Sequence, residues 1–152
     1  MKKLIIITLL AVCATTAFAQ YDGPYAPDYK QIERNIKNNA SNFNYHDLMT
    51  RYELGDSTMN IEEQRHLYFG YIFQPAYNPS DTSQYNAKMA GILNKQHFSE
   101  QDYDEILSFA DALLTEDPFN LRALNAKLLV YAQKNNVEAY KKTAQKRNIV
   151  QQ

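Results

Sequence analysis

The run Arg65-His66-Leu67-Tyr68-Phe69-Gly70-Tyr71-Ile72-Phe73-Gln74-Pro75-Ala76-Tyr77 decides how this chain folds. It places five aromatic residues and one glycine in a helix and the proline turn that stops it. Asn60 and Glu63 carry the spacing of a capping box and mark the helix start. At about 100° per residue, Leu67, Tyr71, Tyr68, Ile61 and Ile72 share one face. Phe69 and Phe73 lie near the opposite side, beside His66 and Gly70. A surface helix has one apolar stripe, whereas the second half of this one has two. The pattern predicts a central helix packed from both sides, with Gly70 admitting a neighbour's backbone. Glycine costs roughly 1 kcal/mol of helix propensity against alanine, which close packing would offset. Pro75 ends the helix, because the residue before a proline avoids helical angles.

Working outward, the upstream chain reads as two shorter helices. Asp28 and Gln31 have capping-box spacing, and Tyr29, Ile32 and Ile36 follow at helical intervals. That helix should fray at Asn38-Asn39. Asn44 and Asp47 repeat the cap, with Tyr45, Leu48, Met49 and Tyr52 on one face and Gly55-Asp56 as the stop. Downstream, residues 75–83 form a polar loop with a second proline, Pro79. Tyr85, Met89 and Ile92 suggest a fourth helix, weak in caps and containing Gly91. Ser99 and Asp102 cap a fifth, whose face is Tyr103, Ile106, Leu107, Ala110, Leu113 and Leu114. Asp117-Pro118 stops it. Leu121, Leu124, Leu128, Tyr131 and Ala132 define a sixth, and Val137, Tyr140 and Ala144 a seventh. No run alternates β-branched residues after residue 19, so the expected fold is all-α: about seven helices in antiparallel hairpins, forming one domain over 28–152.

Residues 1–19 have the layout of a secretory signal peptide. Lys2 and Lys3 precede an apolar run from Leu4 to Val12, and Ala17-Phe18-Ala19 offers a small-x-small cleavage site. The run is too short to span a bilayer, and no later one is long enough. Lipid attachment at Cys13 would require Val12 before the modified cysteine, a poor residue there, so plain cleavage before Gln20 is the expected outcome. Residues 20–27, with two prolines and a glycine, form an extended lead-in. The expected product is periplasmic or secreted. Without Cys13 it holds no cysteine, which excludes disulfides, thiolate metal sites and cysteine nucleophiles. Its 133 residues carry 14 bases and 17 acids, a net charge of −3 that offers nothing to nucleic acid.

Two resemblances follow from particular motifs. The junctions Asp117-Pro118-Phe119-Asn120 and Asn135-Asn136 look like those of a tetratricopeptide repeat, in which proline closes one helix pair. Leu124 and Tyr131 match its large residues, while Lys127, Leu128 and Tyr140 depart from its preferences. The match is about one and a half degenerate units, from which architecture alone follows. Second, Tyr52-Glu53-Leu54-Gly55-Asp56, the run from Asn60 through Tyr71, Phe73-Gln74-Pro75, Tyr77-Asn78-Pro79 and the segment from Asp117 to Leu124 resemble a family of small secreted bacterial proteins of unknown function. That resemblance implies export and a tetratricopeptide-like helical body and brings no activity. Members of the family continue beyond the last helix, whereas this sequence stops at Gln152, so a function residing in that tail would lie outside it.

The residues that could carry chemistry are few. His46, His66 and His97 show no metal-binding spacing, and His66 can pair with Glu62 one turn back. Neither a Gly-x-Ser-x-Gly elbow nor a phosphate-binding glycine loop occurs. No cofactor or metal site is expected. From Ser99 to Leu121 there are seven acids and no base, and from Arg122 onward seven bases and one acid. Complementary faces on neighbouring helices explain this; a charged groove for a peptide is the sharper alternative. The twelve tyrosines suit core edges first and recognition surfaces second, sugar stacking included. The first functional reading is a non-catalytic protein- or peptide-interaction module, with Arg65, His66, Tyr68, Tyr71, Gln74 and Tyr77 as candidate contacts. The alternatives are an envelope-acting hydrolase using a histidine and a carboxylate assembled in space, or a structural subunit of a larger assembly.

Overall fold

In the computed structural model, residues 26–79 and 83–151 are described. The expected signal peptide, its cleavage site, Cys13 and residues 20–25 of the lead-in lie outside that range. Seven α helices and no strand occupy the described residues: α1 Tyr29–Lys37, α2 Tyr45–Leu54, α3 Ile61–Gly70, α4 Gln84–Leu93, α5 Glu100–Glu116, α6 Leu121–Gln133 and α7 Val137–Val150. A 3₁₀ turn, Tyr71–Phe73, prolongs α3, and Gln74 then becomes extended ahead of Pro75. The fold is all-α, as the sequence implies.

Each helix begins where a short polar side chain takes up an orphaned N–H. Asn60 with Glu63, and Ser99 with Asp102, form complete capping boxes. Asp28 and Asn44 supply only the forward half, and the exposed Gln31 makes no return bond to Asp28. Ser83 caps α4 by accepting from the Tyr85 N–H, so that helix is better started than its sequence suggests. Gly55 closes α2 at φ 70°, a left-handed conformation that favours glycine. A Cβ there would also meet the Lys142 backbone oxygen at 3.1 Å, because α7 crosses directly over this turn.

Two cores result. Helices α4, α5 and α6 stack as antiparallel neighbours around Met89, Ile92, Ile106, Ala110, Leu113, Ala123, Ala126 and Val130. The other core joins Leu48, Tyr52, Met59, Leu67 and Tyr71 from the N-terminal half to Phe119 and Ile149 from the C-terminal half. Helix α7 packs on α6 and returns over α2 and α3. There, Lys146 bonds Glu53 at 2.7 Å and lies 4.6 Å from the centre of the Tyr52 ring.

Several expected faces are corrected by these contacts. The helix buried on two sides is α6, not α3: Ala123, Ala126 and Val130 face one way, and Leu124 and Leu128 the other. Small alanines permit close helix approach, yet a pattern of large apolar residues passes over them. In α3 the buried positions are Gln64, His66, Leu67 and Gly70, continued by Tyr71, which together form one arc. Tyr68 and Ile72, expected in the core, are 44% and 40% exposed, because α1, α2 and α7 cover only the other side. The close approach at Gly70 is by side chains and not backbone: a Cβ would lie 3.1 Å from Ile36 Cδ1 and 3.4 Å from Tyr45 Cδ2. In α7, Val137 and Tyr140 are exposed while Thr143 and Ile149 are buried. That helix bridges two surfaces at once, and lysine stems carry part of its packing.

Candidate functional site: an aromatic groove

The edge of α3 away from α1, α2 and α7 forms one wall of a groove of about 450 Å³. Tyr68, Phe69, Tyr71 and Ile72 line it from α3 and the 3₁₀ turn, and Tyr29 from the start of α1. Tyr77, Asn78 and Pro79 enter from the turn after Pro75. Ser83 and Asn86 add the start of α4, and Leu113, Glu116, Asp117, Phe119 and Asn120 the junction of α5 with α6.

Phe119 is the floor. It is 6% exposed, and its ring lies 5.2 Å from Tyr52, 5.3 Å from Tyr71 and 5.6 Å from Tyr68, mostly edge to face. Asp117 places it, because the Asp117 carboxylate accepts the Phe119 N–H at 3.0 Å and closes the turn that Pro118 begins. The tyrosines are fixed in the same way. The Tyr52 hydroxyl donates to the Pro118 carbonyl at 2.7 Å, and the Tyr71 hydroxyl to the Glu116 carbonyl at 3.2 Å. Tyr77 packs edge-on against Tyr71 at 5.4 Å. Tyr68 and Tyr77 remain 44% and 40% exposed, so rings held by the core are presented to solvent along the groove.

The groove is also electrically one-sided. Glu116 and Asp117 line it, and among the described residues no Lys, Arg or His does. Burial, then Asp117, then Tyr77 push the Tyr71 phenol above its ordinary value. Elsewhere on α5 most of the acids are answered by bases: Asp102 by Lys95, Asp111 by Lys127, and Glu100 and Asp104 by Lys134. Complementary faces account for part of the charge asymmetry in the second half of the sequence: Lys127 and Lys134 answer three of the seven acids.

Of the six candidate contacts, Tyr68, Tyr71 and Tyr77 come together in this groove, and Arg65, His66 and Gln74 do not. Arg65 ion-pairs with Glu62 at 3.5 Å and borders a small cleft beside Ile149. Gln74 donates to the Gly70 carbonyl at 3.4 Å and faces Tyr45 and Met49. His66 is 6% exposed and stacked on Phe43 at 4.0 Å. Its Nδ1 bonds the Glu62 carbonyl at 2.7 Å, so the local partner is the backbone of Glu62 and not its carboxylate. A carbonyl only accepts, which leaves Nε2 to accept from the Asn35 amide at 3.0 Å. His46 and His97 are exposed and away from the groove.

Tyr29, Glu116, Asp117 and Phe119 complete the groove without having been candidates. The Asp117-Pro118-Phe119-Asn120 turn was visible as a helix stop, and an aromatic immediately after a stop was the available signal. Among the described residues no group of three His, Cys, Asp or Glu is placed to hold a metal ion. No helix among them is long and apolar enough to cross a membrane.

A family model described as "Domain of unknown function (DUF4919)" matches residues 30–152, which places all of α2 to α7 and nearly all of α1 inside it. The chain belongs to that family. No curated protein and no solved structure matches it.

Proposed function

We propose that this DUF4919 protein is an exported, non-catalytic module that binds a protein or peptide segment in the groove of Tyr68, Tyr71 and Tyr77. The observation that carries the reading is an open groove in which Tyr68 and Tyr71 pack on Phe119, Tyr77 packs on Tyr71, and the Tyr71 hydroxyl bonds the Glu116 carbonyl. Rings fixed before binding offer contact area at little further cost in side-chain freedom. Export to the periplasm or beyond rests on Lys2, Lys3, the apolar run and Ala17-Phe18-Ala19. The α5–α7 hairpins joined at Asp117-Pro118 support a tetratricopeptide-like body, and the domain is taken as residues 28–152. The hydrolase alternative gains nothing from the histidines, since His66 is engaged by a carbonyl and an amide, not by an acid or a nucleophile.

Panning a random peptide display library against the purified protein and against a Tyr68→Ala/Tyr77→Ala variant tests the proposal. Both side chains lie at the core edge, 44% and 40% exposed, and circular dichroism of the variant checks that the fold is retained. The expected result is a set of peptides held about ten-fold more tightly by the wild type, as loss of about 1.4 kcal/mol of contact would give. Equal retention by both proteins, or no retained peptide, would overturn it.

A further inference from the structure

We infer that the occupant of the groove is cationic: a peptide segment that presents a lysine or arginine side chain between the tyrosine rings and the carboxylates of Glu116 and Asp117. The inference rests on the peptide-binding reading above and adds the charge of the ligand.

A remainder of unpaired charge is the first support. Of the seven acids between Ser99 and Leu121, four are bonded to Lys95, Lys127 or Lys134. Glu105 accepts from the Gln101 amide at 2.9 Å. Glu105, Glu116 and Asp117 have no basic partner among the described residues, and the last two line the groove. Asp117 spends one oxygen on the Phe119 N–H, and the Glu116 side chain is exposed. No described basic side chain joins the lining from α1, α3, the turn after Pro75, α4 or the α5–α6 junction.

The rings are the second support. An ammonium or guanidinium within about 6 Å of an aromatic face is attracted by the ring quadrupole. The protein already uses this combination internally: Lys146 sits 4.6 Å from the Tyr52 ring centre while bonded to Glu53 at 2.7 Å. At Tyr68, Tyr77 and Glu116 the ring and the acid line the same groove, and a ligand would bring the cation. A saccharide could stack on the same tyrosines and donate its hydroxyls to the carboxylates, but it would leave their charge unanswered.

Fluorescence anisotropy with a labelled Gly-Arg repeat decapeptide, its Gly-Glu counterpart and chitohexaose as competitor separates these readings. The arginine peptide should bind and the glutamate peptide should not. Glu116→Gln and Asp117→Asn should each weaken binding about two- to five-fold, the range of a solvent-exposed ion pair. The Asp117→Asn change keeps a side-chain oxygen to accept the Phe119 N–H, so the turn survives. Glu116→Lys should abolish binding, and added salt should weaken it. Equal binding of the two peptides, displacement by chitohexaose, or an unchanged affinity in the double carboxamide variant would overturn the cationic occupant. In those cases a panning result that depends on Tyr68 and Tyr77 would leave the groove reading standing; failure of panning itself removes both.

Discussion

Around Ile106 the fully buried residues are aliphatic or methionine; around Phe119 they include three aromatic rings, and that core opens along one edge into the groove. The first is made by consecutive hairpins, and its helices meet neighbours a few residues away along the chain. The second is made by distant segments. Tyr52 bonds Pro118 across 66 positions, Tyr71 bonds Glu116 across 45, and Lys146 bonds Glu53 across 93. Aliphatic side chains gain only by being covered. A tyrosine can bury its ring and satisfy its hydroxyl at a margin, so an aromatic core can end at a wet edge. The difference explains why the groove lies where the two halves of the molecule join.

The sharpest way to break this contrast is to cut the join. Phe119→Ala should cost about 3–5 kcal/mol in urea unfolding and raise amide exchange in α2 and α3 as well as α6. Ile106→Ala should cost about 2–5 kcal/mol and leave exchange in α2 and α3 protected. Identical exchange profiles for the two variants would make the cores one cooperative unit.

Removing a single tie should do less. Tyr52→Phe keeps the buried ring and deletes the donor to the Pro118 carbonyl, for an expected loss of about 1 kcal/mol. An unchanged unfolding midpoint would show that rings alone hold the α5–α6 turn in the aromatic core.

Acid offers the mildest comparison, because each half has one carboxylate held well below the ordinary range. Asp56 is held at about 2 by the Thr58 hydroxyl, then Arg51. Asp102 is held at about 2 by Lys95, then Ser99. Unfolded aspartate titrates at about 3.9, so the unfolded chain takes up these protons first. The stability they contribute is present above about pH 4 and lost as pH falls toward about 2. Melting temperatures from about pH 5 to 2 should fall along this limb, and Asp56→Asn or Asp102→Asn should each flatten part of it. A limb unchanged by both substitutions would place the acid sensitivity elsewhere.

Helix starts and stops were legible because they are settled within a few residues. Asn60 with Glu63 and Ser99 with Asp102 form their boxes, Gly55 takes its left-handed turn, and Pro75 and Pro118 follow helix ends. The face of α5 was legible too, since Ile106, Ala110 and Leu113 recur at helical spacing and pack on both neighbours. Half of the candidate contacts, Tyr68, Tyr71 and Tyr77, fall in the groove because local aromatic density marked them. Tyr29 and Phe119 stayed hidden, because their place depends on segments far away along the chain.

Local sequence is enough to place the helices, most of their caps and the concentration of aromatic residues at Arg65 to Tyr77. Capping and backbone preference act over one turn, and a reader needs no third dimension to see them. Which of those rings face solvent is set by long-range packing. His66 goes into the core and Tyr68 lines the groove because α1, α2 and α7 cover one arc of α3 and leave the other open. Burial belongs to a residue's neighbours in space, and for this stretch those neighbours come from both ends of the chain.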